Sequence, residues 1–128
     1  MTGAREALQA AVTAALEGAG VTAFDAPPVR GALPHAVVEE PSLRDWSAAT
    51  WTGREGVLVV AFHDAGERPV RLRATIEAGE AAVAAIGPAL GGGWRVAQLR
   101  LQRSRVARKG ERWLGTSEFL VRIYRENG

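Results

Sequence analysis

The side chains that could do acid–base, nucleophilic or metal chemistry in this chain are few. They are two histidines, His35 and His63, four serines, and the adjacent carboxylates Glu39 and Glu40. A zinc site needs convergent His, Cys or carboxylate ligands. His35 opens one strand-like run and His63 closes another, with no third ligand at metal spacing. Ser42, Ser47, Ser104 and Ser117 lack the Gly-x-Ser-x-Gly context of a nucleophile elbow. Ser47, His63 and Asp45 could be drawn as a triad, but any chain with two histidines permits such a drawing. Glu39 and Glu40 are neighbours on a strand, so they face opposite sides and cannot flank one substrate. One of them is expected in solvent and the other beside an arginine. Gly91-Gly92-Gly93 follows a helix and precedes a strand, the reverse of a phosphate cradle, and no Gly-Lys-Ser/Thr follows it. These residues predict no catalytic residue, no cofactor and no metal.

Charge and aromatics are more informative. Of the 16 basic residues, 15 are arginine. Residues 1–94 hold 7 Arg against 11 acids, a balance of −4, while residues 95–128 hold 9 Arg and Lys against 3 acids, a balance of +6. Such a split marks a nucleic-acid surface, an acidic partner, or association between unlike faces. The run Arg95, Arg100, Arg103, Arg105, Arg108, Lys109, Arg112 has no ladder of aromatics for stacking bases, which argues against sequence-specific recognition. On a regular strand, Arg95, Arg103 and Arg105 share one face, and Arg100 and Arg108 the other. Trp46, Trp51 and Trp113 lie in or beside loops. Aromatics and arginine favour interface cores. Trp46, Trp51, Arg54 and Trp113 are therefore the candidate partner contacts. Arg103, Arg105, Arg108, Lys109 and Arg112 are the candidates for DNA or an acidic partner.

The elements that must position these residues follow from periodicity. Leu8, Val12, Ala15, Leu16 and Ala19 form one stripe of an alanine-rich helix, with Thr2 as its cap and Gly18 and Gly20 as its stop. Val21 to Ala26 reads as a short strand closed by Pro27-Pro28. Ala36 to Glu40 is a second strand after the Gly31–Pro34 turn. A polar loop of about 15 residues, 41–56, carries Trp46 and Trp51; a loop of that length usually serves a function or a partner. Gly56 to His63 is apolar enough for a strand covered on both faces. Leu72, Ile76, Gly79, Val83, Ile86 and Leu90 form the clearest helical stripe, with Pro69 at its first turn. Gly79 and the nearby alanines allow close approach to a sheet. Trp94 to Val106 is read as a strand, with helix as the competing reading. Lys109-Gly110-Glu111 is a turn, and Leu114 to Arg125 a strand with Phe119, Val121 and Ile123 on one side. The order is α-β-β-β-α-β-β. It predicts an α+β fold with an antiparallel or mixed sheet of about five strands and both helices on one face, strands two and three and strands four and five pairing antiparallel. The expectation is one domain, 1–128.

Composition removes other classes. At 128 residues the chain can bury a core without staples, and with no cysteine it has neither disulfides nor thiolate metal sites. No apolar run approaches the ~20 residues of a membrane span, and the N-terminal residues do not read as a signal peptide. Cytoplasmic synthesis is expected.

Taken in order, several pieces resemble the small tail completion (tail terminator) proteins of long-tailed bacteriophages and gene transfer agents. They are Glu6-Ala7-Leu8-Gln9-Ala10-Ala11-Val12, Phe24-Asp25-Ala26-Pro27, Leu33-Pro34-His35-Ala36-Val37-Val38, Asp45-Trp46, Thr50-Trp51-Thr52-Gly53, the strand ending at Phe62, the Arg-containing alanine helix, and Glu118-Phe119-Leu120-Val121-Arg122. Such families often carry an aromatic after the proline, where this chain has His35, and Trp-Ser where it has His63-Asp64. The resemblance covers nearly the whole length. It implies a virion protein that forms a six-membered ring at the head-proximal end of the tail tube. The ring stops tube polymerisation and joins the tail to the head connector (stopper), and DNA passes through its lumen without sequence recognition. Family interfaces map loosely onto 41–56 and 103–114. The alternative is a small nucleic-acid-binding module using the basic 95–112 hairpin. An enzyme working through backbone groups and arginine would need a deep apolar pocket, which the sequence does not advertise.

Overall fold

The computed structural model describes residues 2–128. Helix α1 (Ala4–Gly18) leads into strands β1 (Ala23–Phe24), β2 (His35–Val38), β3 (Ser42–Asp45) and β4 (Trp51–Ala65). Helix α2 (Val70–Ala84) and a 3-10 turn (Gly91–Gly93) precede β5 (Arg95–Lys109) and β6 (Arg112–Glu126). The sheet has six strands in the order β1-β2-β4-β6-β5, with β3 also on β4. β1 runs parallel to β2, and every other pair is antiparallel. The fold is α+β, and both expected antiparallel pairings are present.

One face of the sheet carries the core. Ala36 and Val38, then Leu58, Val60 and Phe62, then Phe119, Val121 and Ile123 meet Leu8, Val12 and Leu16 of α1 and Leu72, Ile76 and Val83 of α2. Each of the larger side chains among them contributes about 1.5–3 kcal/mol by leaving water. That burial holds an alanine-rich helix whose N-cap, Gly3, makes no side-chain bond. Thr2 is not the cap. Its carbonyl instead accepts from Trp94 Nε1 at 3.0 Å and from Arg125 at 3.2 Å. Gly79 lets α2 approach the sheet: a Cβ there would lie 2.7 Å from the Phe62 ring.

Four expectations are corrected. Residues 41–56 are not a structureless loop, because β3 and the first part of β4 make a hairpin there. Its Gly56 gives room to the Ser42 carbonyl and its Gly53 to that of Trp46. The second helix ends at Ala84, and Ile86 and Leu90 pack on the core from the segment that follows. The strand expected over Val21–Ala26 shrinks to Ala23–Phe24. Finally, β4 is covered by helices on one face only. Its odd residues Val57 and Val59 are half-buried on the other.

β4, β5 and β6 are each 15 residues long, or about 50 Å. The helices, also 15 residues, reach only about 22 Å. The three-stranded ribbon therefore outruns its helical cover. From Arg100 to Lys109, β5 is exposed throughout.

Candidate functional site: the open sheet face and its basic edge

The face of the sheet away from the helices is built from alternate residues of the long strands. In register, β4 presents Glu55, Val57, Val59 and Ala61, and β6 presents Arg122, Leu120, Glu118 and Thr116 opposite them. A shallow groove of 370 Å³ crosses this face between Arg44, Val57, Gln98 and Leu120. Glu55 sits in it between two cations, 3.7 Å from Arg44 and 3.4 Å from Arg122. The Asp25–Pro34 segment covers only the corner over His35 and Val37, which are buried.

Strand β5 supplies the positive charge. Register shifts between Val96 and Gln98 and between Leu101 and Arg103 each insert one extra residue. A bulge reverses the alternation beyond it. Arg95, Arg100, Arg103 and Arg105 consequently pair with Tyr124, Leu120, Glu118 and Thr116, all on the open face. This corrects the expected split, in which Arg100 stood apart from Arg103 and Arg105. Arg112, opposite Ala65 and Lys109, continues the row at the hairpin tip. Arg108 does not join it. Opposite Trp113, it lies over that ring at 5.0 Å. Among the described residues none of Arg95, Arg100, Arg103 and Arg105 has a carboxylate within ion-pair distance.

The tryptophans divide between the two ends of the ribbon. Trp46 and Trp51 pack with tilted rings 4.7 Å apart, Trp51 meets the Tyr124 ring at 6.2 Å, and Arg122 lies over Trp46 at 5.0 Å. Arg54 beside them bonds Asp45 at 3.0 Å. Trp113 is at the far end, where its Nε1 donates to the Gly66 carbonyl at 3.0 Å. Trp51 and Ala65 bound β4, so the two aromatic sites stand about 45 Å apart. The structure does not bring the predicted contact residues into one patch. All three rings are held by partners within the chain and are half-buried.

The side chains considered for chemistry are also engaged. His35 and His63 stack across β2 and β4 at 5.1 Å, and His35 Nδ1 is 3.1 Å from the Ala32 carbonyl. Burial, the neighbouring His35 and the Arg112 charge lower the pKa of His63. Ser47 donates to Asp45 at 2.6 Å and accepts from the Gly53 amide at 3.0 Å, which makes it a turn brace. Asp45 pairs with Arg54, nine positions along β4 from His63, or about 30 Å, so no triad assembles. Glu40 meets Arg5 at 3.2 Å, and Glu39 is exposed beside it. Both lie beyond the end of β2 rather than within it. Among the described residues no three His, Cys, Asp or Glu side chains gather at metal distance. Among the same residues no helix is long and apolar enough to cross a membrane.

One charged pair escaped the sequence reading. Asp64 is 2 % exposed. Arg71 donates to it twice, Nε to Oδ2 at 2.9 Å and Nη2 to Oδ1 at 2.5 Å, and the Ala65 amide donates at 2.9 Å. These bonds, Arg71 first, hold the Asp64 carboxyl below the usual range. The signal was present in a carboxylate closing a strand seven residues before an arginine in the next helix.

This arrangement defines a class: a two-layer α+β sandwich, with both helices on one face of the sheet and most of the other face uncovered. The chain belongs to the tail completion protein gp17 family, whose model matches residues 4–124, and is a structural protein of a phage-like tail. A chain in a solved virion of a native gene transfer agent particle has the same fold. Its TM-score is 0.75 and its identity 23 %, over 94 % of this chain and 96 % of that one. No curated protein matches the chain by sequence.

Proposed function

We propose that this protein is the ring-forming terminator of a phage-like tail. Six copies cap the head-proximal end of the tail tube, halt its polymerisation and join it to the head connector. DNA passes through the lumen, and no catalysis is involved. The observation that carries this reading is the family match across residues 4–124, supported by the shared fold with a chain of a gene transfer agent virion. A terminator meets two unlike neighbours, tube below and connector above. The ribbon has two unlike ends for them, Trp46, Trp51 and Arg54 at one and Trp113 with Lys109 and Arg112 at the other.

The experiment is the mass of the purified protein across a concentration series, alone and mixed with its tube protein, with imaging of the largest species. Six-membered rings, free or seated on tube ends, are expected. A monomer in both conditions, with tubes of unlimited length, overturns the reading.

A second reading is a nucleic-acid-binding module. Arg95, Arg100, Arg103 and Arg105 favour it, sharing one face without an ion-pair partner among the described residues. It predicts duplex binding by the monomer that weakens steeply with salt. A shallow salt slope at millimolar affinity removes it.

A further inference from the structure

The two edges of the sheet carry opposite charge. At the β5 edge stand Arg95, Arg100, Arg103 and Arg105 of the open face, without a carboxylate partner among the described residues. Leu101 and Val106, each 41 % exposed, face the helix side of the same strand. At the β1 edge the outer side of α1 forms a groove of 560 Å³ lined by Glu6, Ala10, Thr13, Ala14, Glu17 and Asp25. Positions 6, 10, 13, 14 and 17 share one helical face. Glu6, Glu17 and Asp25 are exposed, and among the described residues none has a cation within ion-pair distance. The sheet order β1-β2-β4-β6-β5 sets these two edges at opposite sides of the molecule.

We infer that the β5 edge of one copy docks into the α1 groove of a second copy, head to tail. Leu101 and Val106 meet the small residues Ala10 and Ala14, and arginines of β5 meet Glu6, Glu17 and Asp25. This deepens the ring reading and rests on it, since unlike faces in contact are what generate a closed ring.

Spacing supports the fit. Glu6 and Glu17 are eleven residues apart on the helix, about 16 Å. Arg100 and Arg105 pair with Leu120 and Thr116, four steps or about 14 Å. The long arginine side chains take up the difference. Contact through side chains also explains the two bulges. A bulged, arginine-bearing edge resists backbone pairing with another strand, so this edge is shaped for side-chain contact instead. Exposed apolar residues on the other side of the same edge strand favour protein over DNA, because phosphates offer Leu101 and Val106 nothing to bury against.

Two paired experiments test it. The chain has no cysteine, so Ala14→Cys with Val106→Cys in one chain puts its two thiols on the two sides of this contact. Mild oxidation is expected to give a ladder of disulfide-linked multimers, and the control pair Ala14→Cys with Thr50→Cys none. Charge reversal is the second arm. Arg100→Glu with Arg105→Glu spares Arg103, which faces Glu118, and Glu6→Arg with Glu17→Arg reverses the other edge. Each is expected to weaken association by about tenfold or more, and mixing the two is expected to restore it. Wild-type association that survives both reversals, without the disulfide ladder, overturns this interface and leaves the ring reading standing. Absence of association at every concentration, on the tube as well, together with no ladder, overturns both. Loss of duplex-DNA retention with unchanged assembly overturns the proposal and gives the arginines to DNA.

Discussion

Arg71 grips the carboxylate of Asp64 with two nearly parallel hydrogen bonds, and Asp64 lies under the start of α2 almost without exposure. The pair ties the end of β4 to the helix that follows. Removing Arg71 leaves a buried carboxylate with the Ala65 amide as its remaining partner. Arg71→Ala is expected to lower the thermal midpoint by about 3–6 °C, read by calorimetry. The Asp64 pKa lies below its ordinary 3.8 in the fold. Its contribution is thus whole above that value and fades as pH falls through the folded one. The deficit of Asp64→Asn against wild type should accordingly be present at neutral pH and shrink in strong acid. A deficit independent of pH would refute the account.

The stacked histidines give a second pH dependence, at milder acidity. His63 has a pKa below 6.5 in the fold because burial, His35 and Arg112 all disfavour its charge. The unfolded chain binds that proton more readily, so stability is full above 6.5 and is lost as pH falls through the lowered value. Comparing urea midpoints of wild type and His63→Gln from about pH 7 to about pH 5 isolates this residue. Wild type should lose stability relative to the variant on acidification. Parallel curves would count against it.

Two glycines should respond differently to a methyl group. At Gly79 a Cβ meets the Phe62 ring at 2.7 Å and Leu16 at 3.1 Å. Overpacking of about 1–3 kcal/mol outweighs a helix-propensity gain of about 1 kcal/mol. Gly79→Ala should end about 1 kcal/mol less stable with the fold intact. At Gly56 the Cβ meets the Ser42 carbonyl, backbone that cannot swing away. Gly56→Ala should detach β3, seen as fast amide exchange over residues 42–45 in an otherwise protected sheet.

Trp113 supplies a local test of the ribbon's far end. Trp113→Phe keeps the ring under Arg108 and removes the donor to Gly66. A cost of about 1 kcal/mol is expected, with faster amide exchange at residues 66–68. Arg108→Ala should change stability by about 0.5–1 kcal/mol at most. A larger loss in either variant would mean the ring carries more of the fold than its contacts indicate.

Long periodic segments were legible in the sequence. The stripe from Leu8 to Leu16, the stripe from Leu72 to Val83, and the alternation through Phe119, Val121 and Ile123 each specify one face over several turns or steps. The 51–56 half of β4 was hidden because Thr52-Gly53-Arg54-Glu55-Gly56 has no apolar alternation. It is a strand because β3 and β6 pair with it on both sides. The basic cluster was legible as composition but not as a face. Bulges at Ala97 and Gln102 shift the alternation, and no residue type announces them. The tryptophans drew attention as loop aromatics, yet their partners Tyr124, Arg122 and Gly66 are too distant in sequence for spacing to reveal.

The ribbon of β4, β6 and β5 has a mechanical consequence. Its ladder bonds run across the strands, with β4 and β6 paired from Trp51–Glu126 to Ala65–Arg112. A pull along the strands strains all these rungs together in shear, whereas a pull on the hairpin tip opens them one after another like a zip. The domain is therefore stiff and strong along one axis and readily peeled across it. Within a tail under tension, orientation relative to the load decides whether it holds.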